Sequence, residues 1–468
     1  MTSSTGLRHA ALRGGVYLMV RQVLSIGLKI VGVMLITRAL GPASYGAYVS
    51  AFNIYQYALA LGSAGIGVYL LRQEGEVAER AFRTAYTVLA ILAVVLTLSL
   101  ELVRAWLAEW VNVEGFEGVA AIIVLALPLQ LLSTPAYVRL ERALNYRAIA
   151  FLETTSQVGY YVVAISLVWL DFGPRALAIA WIVQQALTCL FAHILSRTYP
   201  KFAFDLSISK AMGRYAVSFS AANWIWQLRM LINPMIVGPV LGAQAVGLVG
   251  MTIGLLEMLS IVKTIAWRLS VSVLGRVQSD LERLRSAVTE GMELQLLAVG
   301  AILLGFGWTG DFFVPLLFGE RWAPVMDIYP YIAVGYLTAA PFNMHSATLS
   351  VINQNRYLAI AFLAHVPLFA VTAYFAVPAV GVVGYGYGEI AALPAYAIVH
   401  YFLARAIGSP DYRLAALWWV ATVVGLFWKE IGLWAIAVPF AALAMPISLR
   451  KMMGYYRLVR RKKTVEQL

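Results

Sequence analysis

Long hydrophobic stretches recur along the whole chain, and each is long enough to cross a bilayer as an α-helix. A transmembrane helix needs about 20 mostly apolar residues, and fourteen such stretches can be marked in this sequence. Their predicted centres are Ile26, Tyr57, Val94, Leu127, Val162, Val183, Trp226, Leu255, Ala298, Tyr336, Phe369, Ala392, Val420 and Val438. The pattern predicts an all-α polytopic membrane protein with about fourteen transmembrane helices.

The first stretch, residues 16–37, carries polar side chains where lipid is expected. Arg21, Ser25 and Lys29 follow at intervals of four residues, so on a helix they lie on one face within an arc of roughly 80°. A cation at the bilayer centre costs about 2.5 to 3.5 kcal/mol on insertion scales. This stripe is therefore expected to face protein or water rather than lipid.

Composition and the placement of charge agree with a membrane protein. Of the 468 residues, 61% are hydrophobic and only 12% are charged, about half the charged fraction of a soluble domain. With the N-terminus in the cytoplasm, 25 of the 35 Lys and Arg residues fall in cytoplasmic segments and 5 fall outside. This positive-inside bias predicts cytoplasmic termini. The net charge of +12 then indicates anionic membrane lipids as partners, not nucleic acid.

Two pairs of short segments indicate an internal duplication. LGPASYGAY at 40–48 is similar to LGAQAVGLV at 241–249, and AIAFL occurs at both 148–152 and 359–363. Both pairs have the same order and similar shifts, which predicts two parallel copies of a six-helix unit. The predicted division is an N-lobe at 1–205 (spans 1–6), a C-lobe at 206–410 (spans 7–12), two C-terminal spans at 411–450 and a basic cytoplasmic tail at 451–468.

The segments TRALGPASYGAY and RLERALNYRAIAFLETTSQVGYYVVAISLVWLDFGPRALAIAW resemble the multidrug/oligosaccharidyl-lipid/polysaccharide exporter superfamily in its polysaccharide transporter branch. That branch contains the Wzx-type lipid-linked oligosaccharide flippases and is related to the MurJ lipid II flippases. The resemblance implies two six-helix lobes forming a V around a central cavity. It implies alternating-access transport of a polyprenyl-diphosphate-linked (undecaprenyl-type) oligosaccharide, such as an O-antigen repeat unit, from the inner to the outer leaflet.

The same resemblance implies a location and partners. We expect a monomer in the plasma (inner) membrane of a prokaryote, working beside a polysaccharide polymerase and chain-length machinery. The chain has no Walker A sequence and no G-x-S-x-G or H-E-x-x-H motif, so it is not expected to be an enzyme. No catalytic residue or cofactor is predicted.

The cations within the spans are the candidate substrate ligands. Arg21 and Lys29 on the first span, and Arg229 on the seventh, have the charge that a diphosphate requires. Ser25, Asn223 and Gln227 are the candidate polar contacts on the same two spans. The alternative role for these cations is pairing between helices or, for Arg21, extension toward the cytoplasmic surface.

Two intramembrane carboxylates are candidates for ion coupling. Glu257 lies near the middle of the eighth span and Glu389 lies within the twelfth, and such groups mark ion pathways in membrane proteins. A proton or a sodium ion would be the coupling ion, and pairing of Glu257 with Lys29 or Arg229 is the alternative. The histidines of the spans show no metal-ligand spacing, so no metal site is predicted and hydrogen-bonded packing is expected for them.

Two other functions remain open from the sequence. The first is an ion-coupled multidrug exporter of the same superfamily, which favours buried carboxylates without cavity cations. The second is a membrane-embedded polymerase or ligase of surface polysaccharide, which needs a catalytic outer loop that the short loops do not supply. The cations Arg21, Lys29 and Arg229 favour an anionic substrate and hence the flippase.

Overall fold

The structure, a computed structural model, describes residues 22, 24–75 and 77–465. Every regular element in these residues is helical, and none of them forms a strand. In lipid a helix satisfies its own backbone hydrogen bonds, which is why long apolar segments adopt it. The predicted all-α class is confirmed.

The chain divides into two compact units. The first contains the residues up to Gly250 together with Pro315–Trp322, and the second contains Met251–Val314 and the chain from Ala323 onward. The helices that begin in the first unit are α1 (24–39), α2 (Pro42–Ser63), α3 (Ile66–Arg72), α4 (Glu79–Val111), α5 (Phe116–Ile123), α6 (Ala126–Arg142), α7 (Tyr146–Trp169), α8 (Arg175–Ser196), α9 (Leu206–Gln227), α10 (Arg229–Ile232) and, after a π-helical turn at Asn233–Val237, α11 (Gly238–Leu259).

The second unit contains the end of α11 and most of α13. Its helices are α12 (Ile261–Val277), α13 (Leu281–Phe318), α14 (Val325–Val351), α15 (Asn355–Val380), α16 (Val383–Ala391), α17 (Tyr396–Ile407), α18 (Arg413–Leu426), α19 (Trp428–Ile431), α20 (Ala437–Ala444) and α21 (Pro446–Val465).

The helices have the length and composition of membrane spans. Seven helical segments of the described chain are long and apolar enough to cross a bilayer, and two bent pairs raise the number to nine. The bends are 40° between α2 and α3 and 63° between Leu433–Ala444 and Pro446–Tyr455. Thirteen of the fourteen predicted centres lie within α-helices, and Ala392 lies at the turn after α16. The protein is polytopic, and the count of fourteen spans stays a prediction.

The end of α13 belongs to the first unit because side chains next to the α1–α2 junction hold it. The Nε of Arg38 donates to the carbonyl of Leu317 at 2.9 Å, and the Nη2 donates to that of Leu316. The buried indole of Trp322 donates to the carbonyl of Thr37 at 2.9 Å. The last carbonyls of a helix lack helical donors, so an arginine at this place satisfies them.

A close helix crossing follows the register of the predicted duplication. A Cβ added at Gly46 in α2 would lie 1.9 Å from the Ala243 carbonyl oxygen, and one added at Gly247 in α11 would lie 1.9 Å from that of Pro42. The similar segments 40–48 and 241–249 are 201 positions apart. Pro42 and Gly46 therefore correspond to Ala243 and Gly247, and the two contacts are equivalent under the repeat. Glycine has no Cβ, so the two backbones approach as closely as two opposed glycines allow.

The helix crossing does not follow the predicted domain boundaries. It joins α2 of the predicted N-lobe to α11 of the predicted C-lobe within one compact unit. Units of close contact and units of sequence repetition are different divisions of the chain. The boundaries at 205, 410 and 450 therefore stay a prediction.

Candidate substrate-binding site

The polar face of α1 packs beside α7. Ser25, Lys29 and Gly32 follow at intervals of four and three residues, so they share a face of the helix. The Ser25 carbonyl accepts a hydrogen bond from Gln157 Nε2 at 3.2 Å. A Cβ added at Gly32 would lie 2.1 Å from the ring of Tyr161. The face that carries Lys29 is thus turned toward α7 and its polar residues.

Lys29 itself is exposed, although its face contains a close helix contact. Its ammonium group is therefore not enclosed by protein. The expectation that Lys29 faces water or a ligand stays a prediction. Arg21, the other cation predicted on this stripe, lies outside the described residues.

The seventh span is interrupted at its middle. Helix α9 ends at Gln227, α10 covers only Arg229–Ile232, and a π-helical turn follows at Asn233–Val237. Pro234 has no N–H, so the Met230 carbonyl lacks its helical donor. The side chain of Asn53 on α2 donates to this carbonyl at 3.0 Å. Helix α2 thus supplies the hydrogen bond that Pro234 removes.

The candidate ligands of the seventh span lie around this interruption. The guanidinium carbon of Arg229 lies 4.4 Å from the ring centroid of Trp226, a distance typical of a cation–π contact. Asn223 is exposed, and Gln227 is half-buried. The indole of Trp224 donates to the Ala60 carbonyl on α2 at 2.8 Å, so this tryptophan links the two helices. The roles of Arg229, Asn223 and Gln227 toward a substrate stay predictions.

Sequence reasoning missed an aromatic cluster beside the polar face of α1. It contains Tyr160 and Tyr161 of α7, Trp181 of α8, and a row on α2. The Phe52 and Trp181 ring centroids are 5.0 Å apart, and those of Tyr160 and Trp181 are 6.3 Å apart. The α2 members are Tyr45, Tyr48, Phe52 and Tyr55. Their spacing of three and four residues is the signal that predicts a shared helix face.

The two carboxylates proposed for ion coupling have different surroundings. Glu257 is exposed on α11. Glu389 is buried on α16, and its Oε2 lies 3.1 Å from the position that a Cβ of Gly335 would occupy on α14. No group of three or more His, Cys, Asp or Glu residues in the described parts of the chain could hold a metal ion. Neither carboxylate is shown to bind an ion, and both stay candidates.

A sequence profile decides the family. Residues 35–327, more than half of the chain, match the profile of a family described as polysaccharide biosynthesis protein. The chain belongs to this family. The match begins after Ser25 and Lys29 but includes Asn223, Gln227 and Arg229. Membership in the polysaccharide biosynthesis family therefore does not depend on the charged stripe of the first span.

Three curated relatives have names that agree with the family. The chain is 26% identical over 321 residues to the succinoglycan biosynthesis transport protein ExoT of Rhizobium meliloti, covering 67% of this chain and 64% of that protein. It is 20% identical to the lipopolysaccharide biosynthesis protein WzxC of Escherichia coli, covering 70% and 67%. It is 19% identical to the teichuronic acid biosynthesis protein TuaB of Bacillus subtilis, covering 61% and 59%. The alignments thus span about two thirds of each relative at most.

Solved structures show the fold of this family member. The lipid II flippase MurJ in an inward closed conformation aligns with a TM-score of 0.70 over 96% of this chain and 99% of that one, at 13% identity. An inward-facing multidrug resistance MATE family transporter of the MOP superfamily aligns with a TM-score of 0.62 over 84% and 98%, at 16% identity. The predicted polysaccharide family is thus confirmed by the profile, and these structures show that the chain has the fold of such transporters.

Proposed function

We propose that the protein is a flippase that moves a polyprenyl-diphosphate-linked oligosaccharide from the inner to the outer leaflet by alternating access. The relatives carry the names of polysaccharide biosynthesis and transport proteins, and the fold is that of lipid and drug transporters. On this proposal the chain lies in the inner membrane of a bacterium and is not an enzyme. Its partners are the lipid-linked glycan and the anionic lipids around it.

One observation carries the choice of an anionic substrate. Lys29 lies within the first span, yet it is exposed on the face of α1 that packs beside α7. A passing diphosphate must leave water at the same depth, and a cation on its path offsets that cost. A transporter of cationic drugs has the opposite electrostatic requirement. The position of Lys29 thus supports the flippase over the multidrug exporter.

The aromatic cluster beside this face suits the glycan part of such a substrate. Aromatic rings present flat apolar surfaces whose hydroxyl or indole groups also form hydrogen bonds. Tyr48, Tyr160 and Trp181 belong to the cluster. We assign the diphosphate to Lys29 and Arg229 and place the sugars along the aromatic surface.

Substitution of the two cations tests the proposal. In proteoliposomes containing a polyprenyl-diphosphate-linked oligosaccharide, an added lectin measures how fast the sugar reaches the outer face. We expect Lys29→Ala and Arg229→Ala each to slow flipping by about tenfold or more, which is ~1.4 kcal/mol or more in barrier height. Lys29→Arg should keep part of the rate, because the charge is retained.

Lys210, an exposed lysine on α9, provides the matched control. Lys210→Ala removes the same charge from a surface position and should leave the rate unchanged. A melting curve for each variant separates substrate binding from folding. Full activity of both alanine variants would refute the phosphate role, whereas unfolding of both would favour helix pairing as the role of these cations.

A further inference from the structure

A hydrogen-bonded chain of three titratable side chains lies in the second unit. His345 on α14 is completely buried. Its Nδ1 lies 3.2 Å from the Pro341 carbonyl oxygen, and its Nε2 contacts the hydroxyl of Tyr412. The same hydroxyl lies 2.7 Å from Nδ1 of His400 on α17. A continuous hydrogen-bonded path therefore joins half-buried His400 to buried His345.

The Pro341 carbonyl determines which groups donate and which accept along this path. The Pro341 carbonyl can only accept, so a neutral His345 carries its hydrogen on Nδ1 and its Nε2 accepts from Tyr412. The Tyr412 oxygen then accepts from Nδ1 of His400. All three hydrogen bonds are satisfied in this neutral state.

A proton that arrives at His400 can pass along the path with no group left unsatisfied. The proton adds to Nε2 of His400, the Nδ1 hydrogen of His400 moves to the Tyr412 oxygen, and the Tyr412 hydrogen moves to Nε2 of His345. His345 is then a cation with two N–H groups, Tyr412 is again neutral, and neutral His400 accepts from its hydroxyl. One positive charge has moved from His400 to His345. The two hydrogen bonds of the Tyr412 hydroxyl are reversed, while Nδ1 of His345 still donates to the Pro341 carbonyl.

We propose that His345, Tyr412 and His400 form a proton-binding site that couples protonation to flipping. The proposal rests on the function proposed above and names the coupling ion and residues for it. His345 lies six residues before the end of α14 at Val351, about 9 Å along the helix. Tyr412 precedes α18, in a connection predicted to lie in the cytoplasm. The site would therefore exchange protons with the cytoplasmic side.

Charged and titratable groups face α14 from the elements packed against it. On α16, Glu389 faces Gly335, ten residues and about 15 Å along the helix from His345. On α12, the Lys263 ammonium lies 4.3 Å from the ring centroid of Tyr336. His365 of α15 has its ring 5.7 Å from that of Tyr396. In the linker between α17 and α18 (residues 408–412), the Asp411 carboxylate accepts from the backbone N–H of Arg413 on α18 at 2.9 Å. On α13, Glu293 forms an ion pair with Lys451 of α21 at 2.8 Å.

The buried surroundings of His345 link its protonation to a change of conformation. Phe342 packs 4.7 Å from His345 between ring centroids, so a charge on this imidazole is buried against an aromatic ring. A buried cation is costly unless it is paired or hydrated. Protonation therefore favours any arrangement of α14, α17 and the linker that admits water, and a shift of this kind biases a conformational equilibrium.

The pH profile of flipping tests the site. Burial disfavours the charged imidazole, so we expect the wild-type rate to change at acid pH, below about pH 6.5, by up to about tenfold per pH unit on one side of the midpoint. Tyr412→Phe keeps the ring but breaks the path, and His345→Gln keeps a polar side chain that cannot take up the proton. Both variants should change by less than about twofold across the same range. Tyr401→Phe, at an exposed position beside His400, is the control and should keep the wild-type profile.

A second readout does not depend on flipping. The chain has only five histidines, so nitrogen-15 NMR of histidine-labelled protein can follow each ring. We expect one ring to pass from the Nδ1–H form to the doubly protonated form in wild type, and to lose this transition in His345→Gln. Wild-type protein that shows the transition but does not flip would refute the proposed function alone. Unchanged pH profiles in folded Tyr412→Phe and His345→Gln would overturn the coupling site and leave only a structural clamp.

Discussion

The first and second spans and the seventh and eighth spans contain related sequences that adopt different local structures. In both, the chain breaks at the glycine of the repeated Leu-Gly pair. Gly41 stands between α1 and α2, and Gly242 interrupts α11. Five residues later, Gly46 and Gly247 meet across the helix crossing. The duplicated sequence has kept the break and the contact surface at the same spacing.

The residues before the break differ. Helix α1 is continuous over 24–39 and carries Lys29, whereas the seventh span is broken at Leu228 and again at the π-helical turn. The backbone at Gly41 is extended, with φ −73° and ψ 171°. At Gly242 it has φ 76° and ψ −172°, a region open only to glycine. The crossing thus constrains the second span of each pair, whereas the first spans differ in sequence and in local structure.

The largest effect should come from the crossing itself. Alanine at Gly46 or at Gly247 places a methyl group 1.9 Å from a backbone oxygen of the other helix, and a backbone cannot move aside as a side chain can. We expect each substitution to lower the free energy of unfolding by about 3 kcal/mol or more, at the upper end for overpacking. The two losses should be similar, because the contacts are related by the repeat. Thermal and denaturant unfolding in detergent measure them.

Gly254 on α11 has no atom within 4 Å of its added Cβ and supplies the control. Gly254→Ala should be neutral or stabilising by about 0.5 to 1 kcal/mol, because alanine is the better helix former. If Gly46→Ala and Gly247→Ala were as mild as this control, the close crossing would be wrong. A large difference between the two crossing variants would show that the repeats do not contribute equally.

A smaller difference in stability is expected between alanine substitutions at the two breaks, Gly41 and Gly242. Gly242→Ala forces a side chain into the glycine-only region and should cost about 1 to 3 kcal/mol of stability. Gly41→Ala has an ordinary backbone and meets only the end of the Arg321 side chain, at 3.1 Å, so it should cost less than about 0.5 kcal/mol. The same unfolding measurements apply to both. Equal losses would contradict the backbone difference between the repeats.

The sequence predicted features that depend on local pattern. The apolar runs predicted helices at nearly all fourteen centres. The repeat predicted that segments 40–48 and 241–249 are equivalent, and their glycines make equivalent contacts. The polar stripe predicted a face turned toward protein or water, and the backbone of Ser25 on this face accepts a hydrogen bond from Gln157 of α7. Each of these follows from residues within one helix or from a repeated segment.

The remaining features depend on partners that are distant in sequence. Nothing near Met230 indicates that Asn53, 177 residues away, donates to its carbonyl. The contact of His345 with Tyr412 joins residues 67 positions apart, and the sequence could predict only that such histidines are hydrogen-bonded. The direction of Arg229 could not be derived from a helical wheel either, because the helix is broken one residue before it.

The last effect concerns the hydrogen bond that bridges the broken span. Asn53→Ala leaves the Met230 carbonyl without its donor, and we expect a loss of about 1 to 2 kcal/mol. Pro234→Ala restores an N–H that can donate to the same carbonyl, so Asn53→Ala should cost less in that background. A double-mutant cycle from unfolding measurements should give a coupling energy of about 1 kcal/mol. The first repeat has no equivalent interruption within the described part of α1, so only the second needs this bond. Additive losses would mean that Asn53 supports the crossing by packing, and that the interruption at Pro234 is stabilised by other contacts.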